Sequence, residues 1–384
     1  MPSDRLFGPS LTTPEMSAAV GEDAWLAAML RFEAALAAAQ AKAGLIPVDA
    51  ATAIRAACEP ARFDIAAIGR DAVASATPVV PLVDALRRAV GAKAAEFVHR
   101  GVTSQDAIDT AMMVVSRDGL NLVIVDLADL ASRCAALAQR HRKTPMAGRT
   151  LLVRARPITF GFKAATWLVG VVEARGRLVE LRSSRLAVQL GGAVGTRDAF
   201  GAAGEAIQAQ IARELGLTEA QPLPWHANRG RVAEIGSALA IAAGAAAKIA
   251  LDVILLSQTE VGEVAEAAPG RSSAMPEKRN PAHAVEARAA FAGVVAQAGV
   301  LVAAVAGEHE RSAGAWQSEW PALSEAFRLT AGAVARAADA ITDLGVDENR
   351  MLANLAPGDV GDVESAGALV DRALAFYRTQ EEKR

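Results

Sequence analysis

The sequence predicts an all-α protein, and three observations support this prediction. The 384 residues are 52% hydrophobic but only 4% aromatic, and alanine supplies much of the apolar content. A core of such small side chains favours closely packed helices over a sheet, which needs β-branched and aromatic residues. Long stretches without helix breakers alternate with short joints rich in glycine, proline and polar residues. This alternation is typical of a long antiparallel helical bundle.

The first part of the chain, residues 1–110, is predicted to be a small N-terminal helical lobe. Helices are expected over about 23–43 and 48–57, and shorter ones follow, interrupted by prolines. Residues 111–345 are predicted to form the central helical bundle, and residues 346–384 a short C-terminal helical segment. Expected bundle helices cover about 110–142, 157–184, 199–215, 231–267, 282–308 and 321–344.

Charge and composition argue against several classes of partner. The net charge is −3 with acidic and basic residues interspersed, so no basic surface for nucleic acid or an anionic membrane is expected. Residues 289–307 carry no charge, but they are mostly Ala, Gly and Val, which indicates a buried bundle helix and no membrane span. The start of the chain, residues 1–5, lacks an apolar signal region, so a cytoplasmic location is expected.

The two cysteines, Cys58 and Cys134, lie in apolar helical sequence and lack the spacing of metal ligands. Reduced thiols are therefore expected, with neither a disulfide nor a metal site.

Residues 269–281 form the most polar interruption of the helical sequence. A hydroxyl from Ser272 or Ser273, an amine from Lys278 and a carboxamide from Asn280 fall between two prolines. A serine can transfer a proton only where positive charge and N–H groups stabilise its alkoxide, and Lys278 could supply that charge. On composition alone, an exposed connecting loop explains the segment equally well.

The run from Ser272 to Pro281, Ser-Ser-Ala-Met-Pro-Glu-Lys-Arg-Asn-Pro, resembles the signature loop of the fumarase/aspartase superfamily. The resemblance implies that Ser272 transfers the proton, that Lys278 and Asn280 hold a substrate carboxylate, and that Ser273 and Met275 line the same site. Two positions depart from the family pattern, because Arg271 replaces a glycine and Glu277 replaces a histidine found in many members.

A second region, His99 to Thr110, resembles the superfamily's first signature region. Thr103 and Ser104 are expected both to cap the following helix and to bind a substrate carboxylate. His99 is a further candidate for binding. Arg149 is a binding candidate in the Gly-Arg-Thr joint, where many members place a histidine next, but this chain has Leu151. A carboxylate, with a pKa of about 4, leaves without a proton, so a reaction at a lactone ester can dispense with that histidine.

Two further joints contain Trp225-His226 and the run from Glu308 to Trp320. Each could be an ordinary loop with a packed tryptophan. Together with the other joints they resemble the 3-carboxy-cis,cis-muconate cycloisomerase family. His226 is then a candidate binding residue, and Arg311 matches a substrate-binding arginine of adenylosuccinate lyases.

The resemblance implies a small tricarboxylate substrate closed to a lactone, without metal or organic cofactor. It also implies a homotetramer whose sites are each built from three chains, and a C-terminal part shorter than in many members. One alternative is a lyase of the same superfamily that releases fumarate from adenylosuccinate, argininosuccinate or a nitrosuccinate. Another is a non-catalytic helical scaffold, which the departures at Arg271 and Glu277 support.

Overall fold

The computed structural model describes residues 6–220 and 222–382. The helices are α1 (Gly8–Leu11), α2 (Pro14–Ala19), α3 (Glu22–Lys42), α4 (Val48–Ala57), α5 (Ile65–Ala72), α6 (Val79–Val90), α7 (Ala92–Ala95), α8 (Ser104–Arg140), α9 (Phe160–Ser184), α10 (Gly204–Leu215), α11 (Gly230–Leu256), α12 (Ala282–Ala303), α13 (Ala315–Ile341), α14 (Glu348–Ala353) and α15 (Val363–Glu382). Short 3₁₀ helices cover Pro60–Arg62 and Asp198–Ala203. The strands are β1 (Pro145–Thr150), β2 (Val153–Thr159), β3 (Val264–Ala265) and β4 (Gly345–Val346). The all-α prediction is confirmed.

Five long helices, α8, α9, α11, α12 and α13, pack together as the central bundle. Small residues let them approach closely. A Cβ atom built on Gly119 of α8 would lie 2.8 Å from the ring of Phe327 on α13, so only glycine fits at this crossing. The N-terminal lobe joins the bundle through α3, which packs against α4, α8 and α10 and buries Leu30, Phe32 and Leu36.

The sequence predicted that this helix begins near residue 110, but α8 begins at Ser104. The Thr103 N–H donates to the carboxylate of Asp106 at 3.0 Å, and this capping satisfies a donor at the helix start. The polar residues of the first signature region therefore form the first turn of α8. Residue 110, the predicted boundary between the N-terminal lobe and the central bundle, falls inside this helix. The division of the chain into these parts stays a prediction.

Several predicted helix limits were wrong. Residues 157–159 belong to β2, which pairs antiparallel with β1. Helix α9 begins only after Thr159, whose side chain accepts a hydrogen bond from the Phe162 N–H and caps the helix. Helix α11 ends at Leu256, well before residue 267, and Gly262 then turns the chain with a φ of +62°. Helix α12 ends at Ala303, before residue 308. Helix α13 begins at Ala315 and accommodates Pro321 in its interior, although proline is a common helix stop.

The C-terminal part contains α14 and the 20-residue α15, which is longer than the short helices expected. Helix α15 packs against α9 and α8. It buries Val370, Ala373 and Leu374, and two exposed ion pairs add to the contact: Arg142 lies 2.6 Å from Asp371, and Lys143 lies 3.0 Å from Glu364.

Helices α11 and α12 are both long and apolar enough to cross a membrane by composition alone. In the structure they pack against each other and against α13 within the bundle. Residues 1–5, on which the expectation about a signal region rests, lie outside the described residues.

Both cysteines are free thiols, as expected. Cys134 is buried in α8 and Cys58 is half-buried at the end of α4. Burial raises the pKa of the Cys58 thiol to about 12, and the nearby Glu33 carboxylate adds to this shift.

Candidate active site

The carboxylate of Asp106 joins three of the polar joints at one buried point. It accepts hydrogen bonds from the N–H groups of Gly191 and Gly192, at 2.8 and 2.9 Å, and from Thr103. His226 Nε2 lies 2.7 Å from the same carboxylate. Because charged hydrogen bonds are stronger than neutral ones, Asp106 fixes the geometry of these joints relative to α8.

His226 is packed tightly against the glycine-rich joint that precedes the 3₁₀ helix. A Cβ atom on Gly191 would approach the His226 ring to 2.5 Å, so any larger residue would displace the ring. His226 Nδ1 is buried and has no hydrogen-bond partner among the described residues. The ring is thus oriented by Asp106 on one side, with an unused acceptor or donor on the other.

Arg311 lies over this joint, in the loop before α13. Its Nε donates to the side-chain oxygen of Gln105 at 2.8 Å, and its second terminal nitrogen donates to the Ala193 carbonyl at 3.1 Å. Gln105 in turn donates to the His226 carbonyl at 3.0 Å. The structure therefore brings Thr103, His226 and Arg311 into one connected network.

His99 is held at the edge of the same region by a buried carboxylate. His99 Nδ1 lies 2.5 Å from Glu33 Oε1, and Glu33 is only 2% exposed. Burial lowers the pKa of His99, but the Glu33 carboxylate outweighs it and the net pKa is raised. A left-handed φ of +58° at His99 turns the chain toward α8.

Beneath these joints lies a buried ion triad of Arg229, Asp109 and Glu319. The Arg229 guanidinium contacts both oxygens of Asp109, at 2.7 and 2.9 Å, and the carboxylate of Glu319 at 2.5 to 2.9 Å. Trp316 Nε1 donates to Asp109 at 3.0 Å. The Arg229 side chain is 2% exposed and both carboxylates are fully buried, so each charge depends on its partners.

The signature loop contrasts with this interior because it is held mainly at its base. Gly270 and Asn280 exchange backbone hydrogen bonds of 2.8 and 3.0 Å, which close the loop. Ser272 Oγ accepts from the backbone N–H groups of Ala274 and Met275, at 3.3 and 3.1 Å. Ser273, Met275 and Lys278 are exposed.

Arg149 lies near the end of β1, two residues before the tip of the β1–β2 hairpin, and pairs with Glu263. The two terminal nitrogens of Arg149 lie 3.0 and 2.7 Å from the two Glu263 oxygens. Glu263 is fully buried, and Asn354 donates to it at 2.8 Å. Glu263 immediately precedes β3, and so Arg149 is linked to the segment that leads into the signature loop.

Leu151 lies at the tip of this hairpin and is 97% exposed. Leu151 and Leu152 form the two-residue connection between β1 and β2, with φ values of 52° and 65°. Such a turn favours glycine or asparagine. The position is thus open to solvent and carries no acid.

The candidate residues fall into two groups within one chain. His99, Thr103, Ser104, His226 and Arg311 surround the start of α8, whereas Ser272, Ser273, Met275, Lys278 and Asn280 lie on the signature loop. Across residues 6–220 and 222–382, no hydrogen bond or ion pair joins one group to the other. A cavity of about 1440 Å³ between the N-terminal segment, α3 and α13 is lined by none of them.

Sequence reasoning did not single out several buried charged residues near the site, namely Glu33, Asp109, Arg229, Glu263 and Glu319. One usable signal was present: Asp106 and Asp109 are three residues apart on a helix and so face the same side. The distant partners of these aspartates could not be inferred, because their separation along the chain reaches 120 residues or more.

Comparisons with known proteins place this geometry in context. A protein-family model described as a lyase matches residues 10–296. The chain is 46% identical over 365 residues to a nitrosuccinate lyase of Streptomyces davaonensis, covering 91% of this chain and 76% of the relative. It is 44% identical over 356 residues to a 3-carboxy-cis,cis-muconate cycloisomerase of Bradyrhizobium diazoefficiens, covering 91% and 79%. The structure of a 3-carboxy-cis,cis-muconate lactonizing enzyme from Pseudomonas putida matches with a TM-score of 0.87 at 37% identity, over 99% of this chain and 89% of that one.

Proposed function

Because this chain belongs to the lyase family that matches residues 10–296, we propose that it is a 3-carboxy-cis,cis-muconate cycloisomerase of the fumarase/aspartase superfamily. The reaction adds one substrate carboxylate oxygen across a double bond and gives 4-carboxymuconolactone, a step in the degradation of protocatechuate. The observation that carries the proposal is the signature loop on a fold that matches the lactonizing enzyme from Pseudomonas putida over 99% of this chain, and Leu151 at the exposed hairpin tip agrees with it. A lactone oxygen needs no general acid, and none stands there.

The loop residues supply the proposed chemistry. Lys278 and Asn280 bind the carboxylate next to the carbon that becomes a carbanion, where electrostatic stabilisation is largest in the transition state. Ser272 delivers the proton to that carbon in the lactonising direction and removes it in reverse. Because the oxygen nucleophile belongs to the substrate, the reaction needs no metal or organic cofactor.

The remaining carboxylates of the substrate are assigned to the region around the start of α8. Thr103, Ser104 and Arg311 offer hydroxyl and guanidinium donors there, with His99 and His226 beside them. A helix N-terminus adds a favourable field for an anion.

The separation of the two groups supports a site that is completed by other copies of the chain, in a cytoplasmic homotetramer. Helix α12 has only two charged residues, Glu286 and Arg288, both near its start. It exposes Val285, Val295 and Val302, each about half accessible to solvent. A second copy would cover this apolar face. Sedimentation velocity should give four chain masses, and an active monomer would contradict the shared site.

A nitrosuccinate lyase activity is the second candidate, because a relative with that name is 46% identical to the chain. Leu151 does not separate the two activities. Elimination from nitrosuccinate releases nitrite, the anion of an acid comparable in strength to a carboxylic acid, so it also leaves unprotonated. The absence of a histidine at this position argues only against amine leaving groups, as in the lyases of adenylosuccinate and argininosuccinate.

A side-by-side assay tests the proposal. Purified protein is given 3-carboxy-cis,cis-muconate, with loss of the conjugated diene followed by ultraviolet absorbance, and separately nitrosuccinate, with nitrite release measured colorimetrically. We expect rapid diene loss and little nitrite, with Ser272→Ala slowed by about 10²- to 10⁴-fold, the range for loss of an acid–base group. Fast nitrite release without diene loss would assign the chain to the second activity. Inactivity on both substrates would leave the scaffold alternative.

A further inference from the structure

We propose that Arg149 positions the signature loop through Glu263 and does not itself bind the substrate. This inference rests on the proposed function only for its kinetic consequences. Its structural part, that the Arg149–Glu263 pair anchors the chain entering the loop, can be tested without any substrate.

Three of the five N–H groups of the Arg149 guanidinium already donate to partners within the protein. One terminal nitrogen contacts Glu263 Oε2 at 3.0 Å and the Ala147 carbonyl at 3.2 Å, and the other contacts Glu263 Oε1 at 2.7 Å. This is the two-pronged geometry in which arginine binds a carboxylate most specifically. A substrate carboxylate in the same place would have to displace Glu263.

Displacing Glu263 is unfavourable because it is fully buried. Its Oε1 also accepts from Asn354 Nδ2 at 2.8 Å, and removal of Arg149 would leave a buried carboxylate without a cation. Lys278 is different: it is exposed, and among the described residues its amine has neither a hydrogen bond nor an ion pair. Lys278 is therefore free to bind a substrate carboxylate, whereas Arg149 is already paired with Glu263.

The backbone around Glu263 is fixed on several sides. Its N–H donates to the Leu256 carbonyl at 2.8 Å, and its carbonyl accepts from the Asp347 N–H at 3.0 Å. Strand β3 follows directly and pairs with β4. Three residues after Glu263, the Glu266 carboxylate accepts from the Ala284 N–H at 2.9 Å in the first turn of α12.

These contacts hold both approaches to the loop while its middle stays exposed. Because Arg149 lies on β1 and pairs with Glu263, it connects the β1–β2 hairpin to the chain that enters the loop. The pair thereby fixes the position of the loop relative to the hairpin. A shift of about 1 Å in a proton-transferring group can cost on the order of 10²-fold in rate. The anchor thus determines where Ser272 lies when the loop meets the substrate.

The test compares Arg149→Met, Glu263→Gln and the double variant with Arg156→Met as the matched control. Arg156 lies on the same hairpin, but its side chain is 95% exposed. The first readout is the rate at which trypsin cleaves after Arg271, Lys278 and Arg279 in the loop, measured by mass spectrometry. The second readout is kcat and KM on whichever substrate the wild type converts.

We expect Arg149→Met to raise loop cleavage about tenfold, which corresponds to loss of about 1.4 kcal/mol of local stability. We expect it to lower kcat about tenfold or more with KM within about threefold, because the loop is misplaced while the binding groups remain. The double variant should lose no more than Arg149→Met alone, since the two residues act through one shared pair and their effects do not add. Arg156→Met should match the wild type.

Two results would overturn the inference. One is loop cleavage in Arg149→Met equal to that in Arg156→Met. The other is a KM raised tenfold or more in Arg149→Met but unchanged in Glu263→Gln, which would make Arg149 a substrate-binding residue. If Arg149→Met does not fold, Glu263→Gln decides, because it keeps the shape and removes the charge: unchanged cleavage would refute the anchor. A wild type inactive on every substrate would refute the proposed function alone.

Discussion

The start of α8 and the signature loop carry the two halves of the candidate site, and they are built in opposite ways. Around α8, Asp106 gathers four donors at a buried point, and the triad of Arg229, Asp109 and Glu319 lies below it. The loop from Gly270 to Asn280 is closed by one pair of backbone hydrogen bonds, and most of its side chains face solvent.

The difference separates the two tasks of the site. A buried network with satisfied partners holds its groups rigidly, which suits the binding of a substrate anion in one orientation. An exposed loop fixed only at its ends can change conformation at little cost in packing. Substitutions in the first region should therefore affect folding, and substitutions in the second should affect turnover.

The largest effect is expected from Arg229→Met, which removes the cation between two buried carboxylates. Breaking a buried ion pair on one side costs about 3–5 kcal/mol, and chemical denaturation should show a loss of that size in the free energy of unfolding. The matched control is Arg185→Met, whose pair with Glu234 is about half exposed and should change stability by less than about 1 kcal/mol. Equal effects of the two variants would remove the distinction between the regions.

A smaller effect of the opposite kind is expected from Lys278→Met on the loop. We expect kcat/KM to fall about 10²-fold, as when one group that stabilises transition-state charge is removed. The free energy of unfolding should change by less than about 0.5 kcal/mol, because the side chain is exposed. Arg279→Met serves as the control for a neighbouring exposed cation. A fall in stability without a fall in activity would contradict the assignment of Lys278.

The smallest effect concerns pH and the His99–Glu33 pair. The folded-state pKa of His99 is raised, because the Glu33 carboxylate outweighs the lowering caused by burial. Its contribution to stability is therefore fully present below the unfolded pKa of about 6.5 and is lost as the pH rises through the folded pKa. The stability difference between wild type and His99→Gln should be larger at low pH. A difference that grows with rising pH would mean that His99 is neutral in the folded protein.

The fold was largely predictable from the sequence because it depends on local patterns. Alanine-rich stretches and their breakers located the bundle helices, and α4 was predicted at its observed limits. The β1–β2 hairpin was not predicted, because Pro145, Gly148 and Thr150 are as typical of a loop as of a short strand. The end of α11 was placed too late, because residues 257–267 contain no proline and only one glycine, Gly262, so no strong helix breaker marks the observed end at Leu256.

The candidate site was predictable only where its chemistry lies in one continuous motif. Ser272, Lys278 and Asn280 could be named from the resemblance of a single loop, and their roles stay a prediction. The partnership of Arg149 with Glu263 could not be foreseen, because the two residues are 114 positions apart. The same applies to Arg229, whose two carboxylates come from α8 and α13.

The exposed hairpin tip is a position where one residue can be exchanged at little cost to the fold. Leu151 has almost no packing to lose, and its φ of 52° lies in a region that histidine tolerates better than leucine. A single exchange to histidine there would add a proton donor and would relieve backbone strain. The identity of this residue is therefore nearly independent of the stability of the fold, in contrast to that of Arg149 two positions earlier, whose side chain pairs with a buried carboxylate.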